Sequence, residues 1–375
     1  MAETLTAAGP DPGVDLGPLR PLMDEDEVTE VMVIGYNRVY VETRGTLFLT
    51  QTRFASDTEL RALIDRIVTA VGRRIDEGTP LCDARMADGS RVNATLPPAS
   101  IDGPTLTIRK FARDRLRVED LVRVGTGSAT LFGFLRACVL ARANLLVSGG
   151  TGTGKTTLLN VLSSFIPEAE RVVTIEDAAE LQLRQDHVVR MEARPAGLDG
   201  TGRITIRDLV VNALRMRPDR IVVGECRGPE AMDMLQSMNT GHDGSMTTLH
   251  ANNPRDALSR LETLVMMAGL DLPHRAIRQQ IASAIDIVVQ MSRLRDGSRR
   301  ITHVVELTGT EEDVITMQDV FQFRVAGLDE RGAIASTMEP TGLRPRIMDR
   351  LHDHVLDIPD EIRELYPDAR RRQGY

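Results

Sequence analysis

Residues 145–160 read LLVSGGTGTGKTTLLN, and whether this glycine-rich run is a nucleotide cradle or an incidental turn decides how the chain around it folds. Gly149, four residues, then Gly154, Lys155 and Thr156 fit the pattern G-x-x-x-x-G-K-[ST], which is informative only between a buried strand and a helix. NLLVSG before it is a short apolar run closing on small residues, as in a buried parallel strand. After it, Leu158, Leu159, Val161 and Leu162 fall at helical spacing. In that setting glycines let the backbone fold tightly, so that successive N–H groups and the helix N-terminus converge on an anion. The predicted cradle comprises Gly149, Gly150, Thr151, Gly152, Thr153, Gly154, Lys155, Thr156 and Thr157. Lys155 reaches the β- and γ-phosphates and the Thr156 hydroxyl serves Mg²⁺. ATP and Mg²⁺ are the expected ligands.

The chain has 375 residues, 42% of them hydrophobic, enough for a large core and two domains. A formal net charge of −8, 3% aromatic residues and no Trp argue against a long basic, aromatic-studded nucleic-acid track, so no nucleic-acid partner is expected. The longest apolar stretch, LFGFLRACVLARANLLV, is broken by Arg136 and Arg142 and falls short of a bilayer-spanning helix. The N-terminus has no basic region followed by an apolar one, so no secretory signal is expected. Cys82, Cys138 and Cys226 lie far apart with no C-x-x-C pair, which fits a reducing cytoplasm.

Residues 1–16 are small, acidic and rich in Pro and Gly, and read as a disordered lead. Residues 17–111 read as a small α/β domain: alternating runs TEVMVIG, RVYVETRG and TLFLTQTRF, a helix from Asp57 to about Arg74, then further strands around D-G turns ending in TLTIRKF. Residues 112–128 are charged and then Gly-rich, as in a linker or hinge. From residue 129 to the end, β-branched runs of four to six residues alternate with helical stretches, which predicts a mainly parallel sheet with helices on both faces.

In such a sheet the chemistry lies beyond the carboxyl ends of the strands. RVVTIE and RIVVGE end in Glu176 and Glu225. Hydrolysis of a phosphoanhydride needs Mg²⁺ held near the β/γ oxygens and a group that orients the attacking water. Glu225 is the candidate for the metal side and Glu176 for the water, with Asp177 and Glu180 able to exchange roles with Glu176. Arginines 190, 194, 203, 207, 215, 217 and 227 crowd the same region and include candidates for neutralising transition-state charge. MNTGHDGSMTTLHAN brings His242 and His250 beside small and hydroxyl residues, suited to a loop that senses the γ-phosphate. Two histidines without further ligand spacing do not make a metal site.

GGTGTGKTT, TIEDAAELQL, LRMRPDRIVVGECRG and NTGHDGSMTTLHAN, in this order, resemble the Walker A, Asp box, Walker B and His box of the type II/type IV secretion ATPase superfamily. ADGSRVNATLPPASIDGPTLTIRKF and MQDVFQFRVAGLDERGAIASTMEPTGLRP further resemble the Tad/Flp pilus assembly ATPases, the CpaF-like group, which usually carry a longer N-terminal region than the short lead here. The resemblance implies a PAS-like N-terminal α/β domain followed by a RecA-like P-loop NTPase domain. It places the catalytic acid at Glu176, the Walker B acid at Glu225 and the last His of the His box at His250. Arg91 and Arg109 match positions facing the phosphates of bound nucleotide. It also implies a homo-hexamer, cytoplasmic and peripherally attached to the inner membrane, that couples ATP hydrolysis to platform proteins of a pilus or secretion system. The alternatives are a type IV secretion ATPase, a RecA-like nucleic-acid translocase, a small-molecule P-loop kinase and a non-hydrolysing scaffold.

Overall fold

The computed structural model describes residues 14–43, 45–111, 116–197, 200–328, 334–353 and 360–367. The chain divides into two units, Met1–Arg115 and Leu116–Tyr375. The elements of the first are α1 (Arg20–Asp24), β1 (Val28–Ile34), β2 (Arg38–Thr43), β3 (Thr46–Leu49), α2 (Asp57–Ala70), β4 (Leu81–Arg85), β5 (Arg91–Thr95) and β6 (Thr105–Arg109). Their six strands form one antiparallel sheet in the order β3-β2-β1-β6-β5-β4.

Period-two alternation along β1, β5 and β6 puts Val31, Val33, Val92, Leu106 and Ile108 on one face. There they form a core with Leu60, Leu63, Ile64, Ile67 and Val68 of α2. Ser56 caps α2 by accepting the Glu59 N–H. The helix stops at Ala70, short of the expected Arg74. Gly72 takes φ +70°, the Gly72 N–H donates to Thr69 O and the Arg73 N–H to Val68 O, a Schellman closure. Leu16 is buried in this core and Val14 packs against it, so the end of the expected disordered lead belongs to the fold. The first thirteen residues of that lead lie outside the described residues.

The second unit contains α3 (Val118–Arg123), α4 (Ala129–Leu140), β7 (Leu145–Gly149), α5 (Lys155–Ser163), β8 (Val172–Glu176), β9 (Val188–Glu192), α6 (Ile206–Ala213), β10 (Arg220–Cys226), α7 (Glu230–Asn239), β11 (Met246–Leu249), α8 (Pro254–Met266), α9 (His274–Ala284), β12 (Ile287–Arg293), β13 (Arg299–Glu311), β14 (Val314–Leu328), β15 (Ile334–Pro340), α10 (Ile347–Asp353) and α11 (Asp360–Leu365). Nine strands form one sheet in the order β15-β14-β13-β12-β7-β11-β10-β8-β9. From β12 to β9 every neighbouring pair is parallel, whereas β12 to β15 form an antiparallel meander.

Alternate residues of the parallel strands feed two cores. Leu145 and Val147 pack with α4 and α5 on one face, and Leu146, Val173 and Val223 pack with α6 to α9 on the other. The expected parallel sheet with helices on both faces is present from β12 to β9, with the P-loop strand β7 within it, and the antiparallel meander of β12 to β15 extends it. Part of the stretch read as a linker is structured: α3 lies within it and buries Leu121 in the core beneath α4. Val118, Leu121 and Val122 at helical spacing are the cause, outweighing the charges around them.

Candidate nucleotide site

β7 is buried along its whole length and ends in the loop of residues 150–154. A Cβ on Gly149 would lie 2.6 Å from Thr153 Oγ1 and 2.7 Å from Met291 O, so only glycine lets the loop close here against β12. Gly154, at φ +94°, delivers the chain into α5 as its N-cap. The Thr153 hydroxyl donates to Gly150 O at 2.9 Å, folding the loop on itself. Lys155 Nζ donates to Gly149 O at 3.1 Å and Gly150 O at 3.0 Å, so the ammonium lies over the loop from which it springs. Burial holds its pKa below the usual lysine value, against the pull of the Glu225 charge. Thr156 and Thr157 follow in the first turn of α5, half-buried, while Thr151 and Gly152 are exposed at the rim.

The two acids lie at the carboxyl ends of neighbouring parallel strands. β8 and β10 are parallel neighbours, and a Cβ on Gly224 would stand 2.8 Å from Glu176 Cγ. The Glu176 side chain therefore crosses the space that the missing Gly224 side chain leaves. Glu176 is only 4% exposed. Its Oε1 accepts the N–H groups of Glu180 and Leu181, both at 2.9 Å, while the buried Oε2 has no partner. Burial pushes its pKa up to about 7, opposed by those two backbone bonds. Asp177 is exposed and joins Arg227 at 3.4 Å. Of the three acids able to fill the water-orienting role, Glu176 alone is buried.

Glu225 is held by a different kind of partner from Glu176. Its Oε2 accepts from Arg227 Nη2 at 2.6 Å, and its charge faces Lys155. Among the described residues neither Glu225 Oε1 nor the Thr156 hydroxyl has a partner. A carboxylate oxygen and a hydroxyl are the hard donors that Mg²⁺ takes when it keeps waters and phosphate oxygens as its other ligands. The described residues hold no cluster of three or more His, Cys, Asp or Glu able to bind a metal unaided. The residues present fit Mg²⁺.

His250 follows β11 directly and is half-buried. The strand leading to it is tied to β10 by the Thr248 hydroxyl, which donates to Gly224 O at 2.7 Å. Gln290 Nε2 on β12 reaches Ala251 O at 3.3 Å and holds the loop beyond. Arg91 and Arg109 lie in the first unit, directly opposite each other on β5 and β6, and both are exposed. Of the crowded arginines, Arg227 lies at the site; Arg207 pairs with Asp233 at 2.8 Å and Arg194 donates to Gly202 O at 2.8 Å, both structural duties. The supporting contacts of Gly224, Thr248 and Gln290 escaped the sequence reading. A glycine just before a strand-ending acid was the one signal available.

A buried strand, a glycine loop closing into a helix and acids ending two neighbouring parallel strands define the second unit as a RecA-like P-loop domain. Residues 13–355 match the family described as type II/IV secretion system protein, and the chain belongs to that family. It is 39% identical over 301 residues to a putative conjugal transfer protein of Mycobacterium tuberculosis, covering 79% of this chain and 85% of that protein. It is 35% identical over 310 residues to the type IV secretion system protein PtlH of Bordetella pertussis, covering 75% and 91%. The fold is also that of the pilus retraction motor PilT solved with ADP, with TM-score 0.54 at 15% identity, over 94% of this chain and 97% of that one.

Proposed function

We propose that this protein is an ATPase subunit that hydrolyses ATP to ADP and phosphate, working as a homo-hexamer to drive pilus assembly or protein secretion through an inner-membrane platform. The observation that carries the catalytic part is Glu176. A buried carboxylate with one oxygen pinned by two N–H groups, the other unengaged and a pKa near 7 suits a base that orients and deprotonates the attacking water. Lys155 would leave its loop carbonyls for the β- and γ-phosphates, and Thr156 and Glu225 would hold Mg²⁺. When bound, Mg²⁺ neutralises charge developing on the phosphate oxygens. His250 is the proposed sensor of the γ-phosphate. Arg91 and Arg109 are the proposed further cations, on the resemblance of their positions to phosphate-facing ones.

The Tad/Flp assembly reading rests on the CpaF-like blocks 87–111 and 317–345. The names of the relatives, conjugal transfer and type IV secretion proteins, favour a type IV secretion ATPase as second reading. A cytoplasmic location at the inner membrane follows from either. No helix among the described residues is long and apolar enough to cross a membrane.

Phosphate release and mass by light scattering, measured together over a dilution series, test the reading. Specific activity should rise as hexamers form, and Lys155→Ala should abolish turnover at every concentration. A Lys155→Ala protein within a few-fold of wild type would remove the active site. A monomer as active per chain as the assembly would remove the ring from the mechanism.

A further inference from the structure

The geometry points to Arg299, the first residue of β13, as the residue that holds the nucleoside end of the bound nucleotide; this rests on the nucleotide-site reading above. A Cβ on Gly154, the N-cap of the P-loop helix, would lie 3.5 Å from Arg299 Cδ and 3.5 Å from Met291 Cε. The arginine side chain therefore runs across the mouth of the cradle. It is exposed, and no carboxylate or carbonyl among the described residues engages its guanidinium.

Its neighbours, by contrast, are fixed. Asp296 Oδ1 accepts the Ser298 N–H at 2.9 Å and the Ser298 hydroxyl at 2.6 Å, and Asp296 Oδ2 accepts the Ile334 N–H at 2.8 Å. On the other side, Arg300 Nη1 donates to Val124 O at 2.6 Å. The backbone carrying Arg299 is thus anchored on both sides, and its guanidinium, without a partner among the described residues, lies beside the P-loop.

The sheet order says which end of the nucleotide it meets. Counting outward from β7, the strands β11, β10 and β8 carry Thr248, Glu225 and Glu176 on one side, while β12 and β13 carry Arg299 on the other. Glu225 and Glu176 serve the γ-phosphate, so the triphosphate runs with its γ end toward them. The nucleoside leaves toward β12 and β13. A guanidinium there has a planar face for a base, a contact that is tolerant of base identity because every base presents a π-face. Its exposure means that the contact costs no buried pair. Arg299 is thus a nucleotide-binding residue for the base-bearing end, separate from the phosphate grip of Lys155.

The test compares ligands with and without a nucleoside. Binding of Mg·ADP, a non-hydrolysable ATP analogue and inorganic tripolyphosphate is measured by calorimetry for wild type, Arg299→Ala, Arg299→Lys and Arg295→Ala. The last removes an equal charge from the same hairpin. Arg299→Ala should weaken both nucleotides by about tenfold, the range of a stacked cation, and leave tripolyphosphate within about twofold. Lysine should restore little, lacking the planar face, and Arg295→Ala should bind all three as wild type does. Nucleotide binding unchanged in Arg299→Ala, or tripolyphosphate weakened as much as ATP, overturns the assignment of Arg299 alone. A wild-type protein that binds neither nucleotide nor tripolyphosphate overturns the nucleotide site, and this role with it.

Discussion

Gly224→Ala is the smallest change that should separate nucleotide binding from hydrolysis. Gly224 has no left-handed backbone angle, so alanine meets no conformational strain there. The perturbation is steric. The new methyl would begin 2.8 Å from Glu176 Cγ, where ordinary contact begins near 3.4 Å, so the carboxylate has to move by about 0.6 Å or more. It cannot swing freely, because Oε1 is held by the N–H groups of Glu180 and Leu181 and the side chain is only 4% exposed. A misplacement of about 1 Å in a catalytic group costs on the order of 10²-fold in rate, so kcat should fall by roughly 10- to 100-fold. Lys155, Thr156 and the loop are untouched, and nucleotide affinity should stay within about threefold of wild type. Steady-state phosphate release and equilibrium binding of a fluorescent nucleotide measure the two quantities separately, with a thermal melt to confirm folding. Turnover within twofold of wild type in a folded Gly224→Ala protein would refute the placement of Glu176 as the water-orienting base.

The raised pKa of Glu176 has two further readouts. Activity should climb with pH through about 7 and level off above it, since the ionised form is the base, and Glu176→Gln should lose about 10²-fold or more and flatten that profile. Stability runs the other way: an acid whose folded pKa lies above its value of 4.5 binds a proton more tightly when folded, so stability is lost as pH rises between 4.5 and 7. Glu176→Gln should accordingly melt above wild type at pH 8, by at most about 3 kcal/mol, with the gap closing near pH 4.5; no gap at pH 8 would contradict the burial cost. Glu225→Gln should raise the Mg²⁺ concentration needed for half-maximal activity several-fold while leaving the pH profile in place, and a normal Mg²⁺ titration would move the metal role elsewhere.

How much of this was legible in the sequence depends on how far each signal reaches along the chain. The P-loop is a local code, and its glycines, lysine and threonines stand as the spacing predicts, because every contact that shapes the loop lies within six residues or on the adjoining strand. The parallel strands were visible as uninterrupted apolar runs, since both faces are covered. The antiparallel meander of β12 to β15 was not, because alternating burial along β13 and β14 mixes with charged and glycine positions and looks like loop text. α3 was hidden by its charges. The sequence put Glu176 first but left Asp177 and Glu180 able to exchange roles with it, because what sets Glu176 apart is its packing against Gly224, 48 residues further on. Arg299 was silent, being one arginine in a basic turn until the sheet brought it beside Gly154.

The way the site stores its charges bears on why a ring is proposed. Two cations beside the phosphate cradle are already engaged, Lys155 by the carbonyls of Gly149 and Gly150 and Arg227 by Glu225 and Asp177, while Arg299 is assigned above to the base-bearing end and not to the phosphates. Their two positive charges are matched by two carboxylates, so this part of the site is close to neutral before any ligand arrives. A nucleotide triphosphate brings several negative charges, and drawing Lys155 or Arg227 toward it strips a partner from a carbonyl or a carboxylate, which offsets much of the attraction. Mg²⁺ covers part of the difference. The remainder calls for cations that are not already paired here, and a transition state with more charge on the γ-phosphoryl group calls for them most strongly. In the proposed hexamer these come with assembly. A subunit on its own would then hold Mg·ATP and hydrolyse it slowly, its turnover limited by missing charge and not by a missing base.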